Sequence, residues 1–141
     1  MLLKALDALS ELVYAEEKVL TNLVGRVAQG LGPAQPLREG PGLILIPFED
    51  GREGGAFYLG EALVYEAWIR FPMAGVEGYG AALGFEAKRA RALAYLDAAL
   101  QAGLEVEAIM ALAEMARSER ERREEEFWRK VERTRLEVET L

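Results

Sequence analysis

The glycine-rich run at residues 78–84 is the segment whose spacing comes nearest to a chemical motif. It directly precedes a predicted helix, an arrangement in which backbone N–H groups can cradle a phosphate. The dinucleotide-binding fingerprint requires Gly or Ala where Leu83 lies, and it requires a strand after the helix, which the sequence does not predict. A tight strand-to-helix connection is therefore the favoured interpretation, and phosphate binding stays open as an alternative.

Three smaller groups of side chains could also carry a function. The first could bind a cation, the second could line a pocket on one face of a sheet, and the third could stack on a ring-bearing ligand. For each group an ordinary interpretation is favoured. The first fits a solvated hairpin tip, the second a face packed against a helix or a partner, and the third core or interface packing. The groups are Glu49, Asp50 and Glu53; Glu66, Trp68 and Arg70; and Phe127 with Trp128.

Histidine and cysteine are both absent from the sequence. Their absence excludes Ser-His and Cys-His nucleophile pairs, disulfides and thiolate metal sites. Any bound metal would be held by carboxylate oxygens, which favour magnesium or calcium over zinc. The sequence therefore predicts no catalytic residue, no metal ligand and no cofactor-binding residue, and it leaves open whether the chain is part of an enzyme.

Composition indicates one globular domain covering residues 1–141, with 51% hydrophobic residues and a formal net charge of -7. The acidic balance argues against nucleic-acid and anionic-membrane partners, because both require clustered Lys and Arg. No apolar run is long enough to span a membrane. Asp7 and Glu11 interrupt the first apolar stretch, so we expect no signal peptide. A cytoplasmic location fits the lack of disulfides.

The pattern of apolar residues predicts an α+β fold, in which a small antiparallel sheet of three to four strands packs with an N-terminal helix and two C-terminal helices. Residues 1–30 should form one long helix. We expect it to bend or break near Glu16 or Gly25, because it would otherwise be about 40 Å long. The three prolines within residues 33–41 predict a loop.

The strands are predicted between residues 42 and 84. An apolar run at 42–48 and its return at 56–59 flank a hairpin connection at 49–55, which carries the Asp-Gly turn signal. Residues 61–71 have a helix-forming composition, yet their side chains alternate as in a strand, so a strand is favoured over a helix. One further short strand is expected around Tyr79.

Helices are predicted over residues 85–133, the first covering 85–102 with Gly103 as its cap. From Arg117 to Glu126 there is no apolar side chain, which predicts a charged helical spacer. Residues 134–141 alternate with period two and predict an extended, strand-like arm. The apolar and arm residues that follow the spacer are candidates for a protein interface: Phe127, Trp128, Val131, Thr134, Arg135, Leu136 and Val138.

Short motifs in the sheet region and the tail agree in order and spacing with one known family. They are Gly54–Glu61, Val64, Ile69-Arg70, Gly78-Tyr79, Leu83–Glu86, Arg89-Ala90, Leu96–Ala98 and the tail 131–141. Through them the chain resembles the PhnG-type subunit of the bacterial carbon–phosphorus lyase system, which breaks down phosphonates. The motif residues are Gly55, Phe57, Leu59, Gly60, Glu61, Arg70, Gly78, Gly84, Glu86 and Asp97.

The chain departs from the family pattern at two places. Arg89 stands where the family tends to have a histidine, and Val138-Glu139 replaces two phenylalanines of the tail. The first forty residues match the family only in the presence of a helix. These departures put any role for the family's histidine in doubt in this chain.

The resemblance implies a small companion subunit without a known active site. In that family a complex joins the ribose triphosphate of ATP to an alkylphosphonate. A nucleosidase subunit is thought to carry that catalysis, and an iron–sulfur subunit later cleaves the C–P bond. The resemblance therefore predicts those two subunits as partners, and we expect a dimer within the complex. The segment from Thr134 could add a strand to a partner's sheet.

Two alternatives come from different classes of function. The chain could be a stand-alone homo-oligomeric scaffold whose long helices pair with each other. It could also be a small-molecule binding protein that holds a phosphate at residues 78–84. Oligomeric state separates the first alternative from the subunit hypothesis, and triphosphate binding tests the second.

Overall fold

The computed structural model describes the backbone of residues 5–49 and 56–139, and the side chains of residues 7–45 and 60–135. Within this part of the chain, helices precede and follow a three-stranded antiparallel sheet, so the predicted α+β class is confirmed. In chain order the elements are α1 (Ala5–Leu12), α2 (Glu17–Leu31), β1 (Gln35–Glu49), β2 (Ala56–Phe71), β3 (Val76–Leu83), α3 (Ala87–Ala102) and α4 (Val106–Glu139).

The N-terminal helix breaks between α1 and α2, which confirms the predicted interruption near Glu16. Glu16 has an extended backbone conformation and directly precedes α2 as its N-cap. The break frees carbonyl groups that a continuous helix would use. Arg89 of α3 satisfies two of them, because its Nη1 donates to the carbonyl oxygens of Val13 at 2.9 Å and Ala15 at 2.7 Å. Arg89 therefore fixes the corner between the two helices.

The sheet has the order β1-β2-β3, with β2 in the centre. The strand favoured for residues 61–71 is confirmed. It is continuous with the predicted strand 56–59, and both belong to β2. The strand expected around Tyr79 is β3. The turn residues 50–55 lie outside the described part of the chain.

The predicted loop at residues 33–41 is wrong over most of its length, because β1 begins at Gln35. Its prolines are compatible with a strand here because β1 lies at an edge of the sheet, so one side of its backbone has no neighbouring strand among the described residues. A register shift between Pro36 and Arg38 accommodates an extra residue, Leu37.

Helix α3 packs so closely on β3 that two glycines are required. A Cβ atom at Gly78 would lie 1.9 Å from the carbonyl oxygen of Ala94, and one at Gly80 would lie 2.1 Å from that of Ala90. The alanines at four-residue intervals on α3 provide the matching flat face. Because the helix backbone occupies the space over both glycines, residues 78–80 pack against α3 and leave no room there for a phosphate.

The outer edge of β3 is capped by side chains of α3. The backbone N–H of Tyr79 donates to Asp97 Oδ2 at 2.8 Å, and Gln101 Nε2 donates to the carbonyl oxygen of Glu77 at 2.7 Å. These bonds satisfy backbone groups that an edge strand would otherwise expose. Asp97, a residue of the family motif, therefore holds the edge of the sheet to the helix.

Replacing Asp97 by alanine should lower the free energy of unfolding by about 1–2 kcal/mol, because the Tyr79 N–H loses a charged acceptor. Asp97→Asn keeps an acceptor oxygen at the same place and should cost less than half as much. Urea unfolding of the two variants beside the wild type measures both effects. If Asp97→Ala proved as stable as the wild type, the proposed role of this bond would be wrong.

The hydrophobic core lies between the sheet and the four helices. Phe71 closes the end of β2 against α3, where its ring meets Tyr95 edge to face at a centroid distance of 5.0 Å. The largest fully buried side chains come from α1, α2, β2, α3 and α4, which shows that these elements share one core: Leu12, Leu20, Val27, Leu31, Phe71, Leu96 and Ile109.

Helix α4 buries its first third and then leaves the body of the protein. Ile109, Leu112, Ala113 and Ala116 are buried, and the described side chains beyond residue 120 are exposed. At 1.5 Å per residue the 34-residue helix is about 50 Å long. No helix of the described residues combines the length and apolar composition needed to cross a bilayer.

The strand-like arm predicted for residues 134–141 is wrong for residues 134–139, which continue α4. An isolated strand would leave its backbone groups without partners, whereas a helix satisfies them within the segment. The Oγ1 of Thr134 also donates to the Lys130 carbonyl oxygen at 3.0 Å, within the same helix. Strand addition to a partner's sheet from Thr134 therefore does not fit this structure.

Candidate interaction surfaces

The face of the sheet that points away from α3 collects a group of polar and aromatic side chains, here called the open face. The structure brings Glu66, Trp68 and Arg70 together there, as alternation along β2 predicted. On β3, Tyr79 lies opposite Trp68, and Glu77 lies opposite Arg70. Trp68 and Tyr79 remain 44% and 46% exposed, so the face is available to a ligand or a partner.

Two hydrogen bonds between neighbouring strands organise the open face. Trp68 Nε1 donates to Glu77 Oε2 at 3.1 Å, and the Tyr79 hydroxyl donates to Glu66 Oε1 at 2.8 Å. Burial raises the pKa of Tyr79, and its hydrogen bond to the Glu66 carboxylate raises it further. The phenol is therefore held as a proton donor, and both glutamates are engaged as acceptors.

Two arginines complete the open face. Arg38 on β1 pairs in register with Trp68, and its charge acts on Tyr79. Arg38 and Arg70 are both exposed, and neither forms an ion pair with a carboxylate of the described part of the chain. Arg38 was missed at the sequence level because it lies in the stretch predicted as a loop.

The β1–β2 hairpin extends beyond β3 and forms the second surface, here called the β arm. β3 pairs with β2 only over Val64–Phe71, so residues 43–49 and 56–63 form a ribbon of two strands. Leu43 and Leu45 are 65% and 53% exposed on one side of this ribbon, and Ile44 is exposed on the other. The arm therefore presents apolar side chains in two directions.

The base of the β arm adds further apolar surface. Leu83 and Phe85 are both exposed at the connection between β3 and α3. Gly84 lies between them with φ of 80°, a left-handed conformation that favours glycine, and its N–H donates to the Leu63 carbonyl oxygen at 2.8 Å. This family-motif glycine thus links the β3–α3 connection to the β arm by a hydrogen bond.

The projecting part of α4 is the third surface. Phe127, Trp128 and Val131 are exposed, and the rings of Phe127 and Trp128 meet edge to face at 5.6 Å. Thr134 and Arg135 follow on the same exposed helix. The side chains of the remaining interface candidates, Leu136 and Val138, lie outside the described residues.

The projecting helix is attached to α1 by a two-bond contact between Arg120 and Glu11. Arg120 Nε and Nη2 donate to the two carboxylate oxygens at 2.9 and 2.8 Å, and Nη1 donates to Glu124 at 3.0 Å. The hydrogen bonds from Arg120 hold the pKa of Glu11 below its ordinary value, although burial opposes them. Beside this contact, Tyr14 and Phe127 border a groove of about 300 Å³.

The remaining family-motif residues fall in three places. Gly60 and Glu61 lie in the β arm, and Glu86 precedes α3, where it accepts a hydrogen bond from Arg89 Nε at 3.0 Å. Phe57 and Leu59 belong to β2, but their side chains are outside the described part. Gly55 is outside it altogether, as are Asp50, Glu53 and the side chain of Glu49, which made up the candidate cation site.

Comparison with known protein families identifies the family of this chain. The family model described as "Phosphonate metabolism protein PhnG" matches residues 6–141, nearly the whole chain. The chain belongs to the PhnG family. The match extends the resemblance carried by the sheet and tail motifs to the N-terminal region, and it confirms the family assignment that those motifs predicted. Comparison with curated proteins gave no match.

Membership in the PhnG family assigns the chain to phosphonate metabolism. Three family-motif residues have structural roles in this PhnG protein: Gly78 admits α3, Asp97 caps β3, and Gly84 turns the chain into α3. Arg89, where the resemblance led us to expect a histidine, donates two hydrogen bonds to carbonyl oxygens at the α1–α2 corner. Arg70 is different, because it is exposed on the open face.

Proposed function

We propose that this PhnG protein is a cytoplasmic, non-catalytic subunit of the carbon–phosphorus lyase core complex. There it would support the formation of ribose 1-alkylphosphonate 5-triphosphate from ATP and an alkylphosphonate. Its partners would be the nucleosidase and iron–sulfur subunits, and we expect it to be dimeric within the complex. The observation that carries the proposal is the exposed apolar β arm in a member of the PhnG family.

The β arm supports a subunit role because two strands alone bury too little apolar surface to be stable in water. Three consecutive large apolar residues, Leu43, Ile44 and Leu45, are exposed on it, and they point to both sides of the ribbon. Neither the described sheet nor the helices cover them. A contiguous exposed apolar surface of this kind is typical of a protein interface.

Four carboxylates of the helices and the sheet are already hydrogen-bonded within the protein, which supports a non-catalytic role. Each is bound to a group of the protein itself, so it orients the structure and is not presented to a substrate. One bridges two helices, one caps a strand edge, and two are acceptors on the open face. These carboxylates and their partners are Glu11 with Arg120, Asp97 with the Tyr79 N–H, Glu66 with the Tyr79 hydroxyl, and Glu77 with Trp68.

The double substitution Leu43→Ser and Leu45→Ser should weaken binding to the partner subunits about 100-fold, since each leucine would forfeit roughly 1–2 kcal/mol of burial. Stability of the isolated protein should change little, because both side chains are already exposed. The measurement is co-purification of the tagged protein with its co-expressed partners, followed by affinity measurement on the recovered complex.

Met73→Ser is the matched control, because Met73 is also a large exposed apolar residue but lies in the turn between β2 and β3. It should leave partner binding unchanged. Full recovery of the partners with the Leu43/Leu45 variant would remove the β arm from the interface. Failure of the wild-type protein to recover any partner would contradict the subunit function itself.

A homo-oligomeric scaffold is the second candidate function, favoured by the exposed Phe127 and Trp128 on the projecting helix. Pairing of these helices between copies would cover both rings. Light scattering on the isolated protein tests it. A stable oligomer that dissociates on Phe127→Ser and Trp128→Ser, and has no affinity for the partner subunits, would favour the scaffold over the subunit.

A further inference from the structure

We propose that the open face of the sheet binds an acidic segment of a partner protein, whose carboxylates pair with Arg38 and Arg70 while an apolar side chain packs on Trp68. The inference takes its partner from the subunit function proposed above. Arg38 and Arg70 lie on the opposite side of the sheet from Leu43 and Leu45, so the two proposals can be tested independently.

The charge balance of the open face identifies the chemistry of the partner. Glu66 and Glu77 already accept hydrogen bonds from Tyr79 and Trp68. Although Glu77 lies opposite Arg70 in the sheet, its carboxylate is directed to the Trp68 indole. Two guanidinium groups are therefore left without carboxylate partners among the described residues, and a binding segment would have to supply them.

The positions of the two arginines define the spacing of those carboxylates. Arg38 lies directly opposite Trp68, and Arg70 lies two residues further along β2 on the same face. Such diagonal neighbours on a sheet have a spacing of about 7–8 Å. In an extended chain, side chains on one side repeat about every 7 Å. Acidic residues two apart in an extended segment would therefore meet Arg38 and Arg70 together.

The shape of the open face favours a protein segment over a small anion. Small-molecule sites are concave and enclose their ligand, whereas Trp68 and Tyr79 lie on an outer sheet surface and are nearly half exposed. Tryptophan, tyrosine and arginine are also the residue types that contribute most at protein interfaces. Trp68 and Tyr79 are already held by hydrogen bonds, so these two side chains lose little conformational freedom on binding.

The test is the double charge reversal Arg38→Glu and Arg70→Glu in the full-length protein. Affinity for the co-expressed partner subunits should fall at least about 100-fold, because two charge-assisted contacts become repulsive. The salt dependence of binding should also become weaker than in the wild type. The variant Arg38→Lys and Arg70→Lys retains charge without the planar fork and should lose less affinity.

Lys18→Glu and Arg26→Glu together form the matched control. Both lie on α2, which packs on α3 at the opposite side of the sheet, and they reverse the same number of charges. The control should keep wild-type affinity, and thermal unfolding should show that both proteins are folded. Equal loss of affinity in the two proteins would indicate a general charge effect and overturn the proposal.

Other occupants of the open face give different results. If the arginine variant fails to dimerise but binds the partner subunits normally, the occupant is a second copy, and the proposal is wrong. If the wild type binds inorganic triphosphate and the arginine variant does not, the face is a small-anion site. If the wild type recovers its partner subunits and the arginine variant binds them equally well, this inference is wrong and the subunit function stands.

Discussion

Replacing Gly80 with alanine should lower the free energy of unfolding by about 3 kcal/mol or more, at the upper end of what overpacking a core costs. The added Cβ would lie 2.1 Å from the Ala90 carbonyl oxygen and 2.6 Å from the Ala94 nitrogen. Both are backbone atoms of α3, so no side chain can rotate away to make room. The helix itself must move off β3, and urea unfolding measures the cost.

Gly25→Ala is the control for the loss of glycine itself. Gly25 lies within α2, and a Cβ there would meet nothing within 4 Å. This substitution should stabilise the protein by about 0.5–1 kcal/mol through helix propensity alone. A lower free energy of unfolding for Gly80→Ala and a higher one for Gly25→Ala would establish that α3 closely approaches β3. A Gly80→Ala protein with wild-type stability would show that α3 does not pack on β3 at this distance.

Arg120→Met should release α1 from the body of the protein, the second large effect that we expect. Helix α1 has only eight residues, too few to be stable alone, and it is packed mainly against α4. Without Arg120, Glu11 loses both of its hydrogen bonds, and Tyr14 loses the cation 5.9 Å from its ring. Amide exchange in α1, measured by mass spectrometry, should become at least about tenfold faster.

Arg122→Met is the matched control on the same helix. Arg122 forms ion pairs only within α4, with Glu119 and Glu126 among the described residues, so its loss should leave α1 exchange unchanged. Comparable acceleration by both variants would mean that the effect comes from α4 itself and not from the contact with Glu11.

Lowering the pH should accelerate amide exchange in α1, as Arg120→Met does. Because the pKa of Glu11 in the folded protein lies below its ordinary value of 4.5, its contact with Arg120 contributes fully above that pH. The contribution is lost as pH falls through the folded pKa. Exchange of α1 in the wild type, corrected for intrinsic rates, should therefore accelerate as the pH falls below 4.5 and through the lowered pKa of Glu11. Glu11→Gln should be insensitive over that range.

Much of the fold could be predicted because local patterns agree with the tertiary packing. Alternation identified β2 although its composition favours a helix, and the charged residues at 16 and 17 marked the break between α1 and α2. The prolines within residues 33–41 misled the prediction of where β1 begins, because a strand tolerates prolines at an edge and its pairing partners are distant in sequence. The alternation after Thr134 misled it because the segment continues α4 as a helix and pairs with no strand of the described residues.

The candidate site was predictable only in part for the same reason. Alternation along β2 is a local property, and it was sufficient to place Glu66, Trp68 and Arg70 on one face. The register of β1, which adds Arg38, depends on a bulge at Leu37 that has no clear sequence signal. The glycines at 78 and 80 suggested a phosphate loop, since the approach of α3 that explains them is visible only in three dimensions.

The treatment of the two sheet edges has a consequence for the behaviour of the chain at high concentration. Asp97 and Gln101 bind two main-chain groups of β3, the N–H of Tyr79 and the carbonyl oxygen of Glu77, and Pro36, Pro41 and Pro47 have no N–H group to offer in β1. Over the part of the sheet in which β3 pairs with β2, neither edge is therefore a continuous template for a further strand. Growth of the sheet through its backbone is thus opposed in the body of the protein, whereas residues 56–63 of β2, in the β arm, have no second neighbouring strand among the described residues.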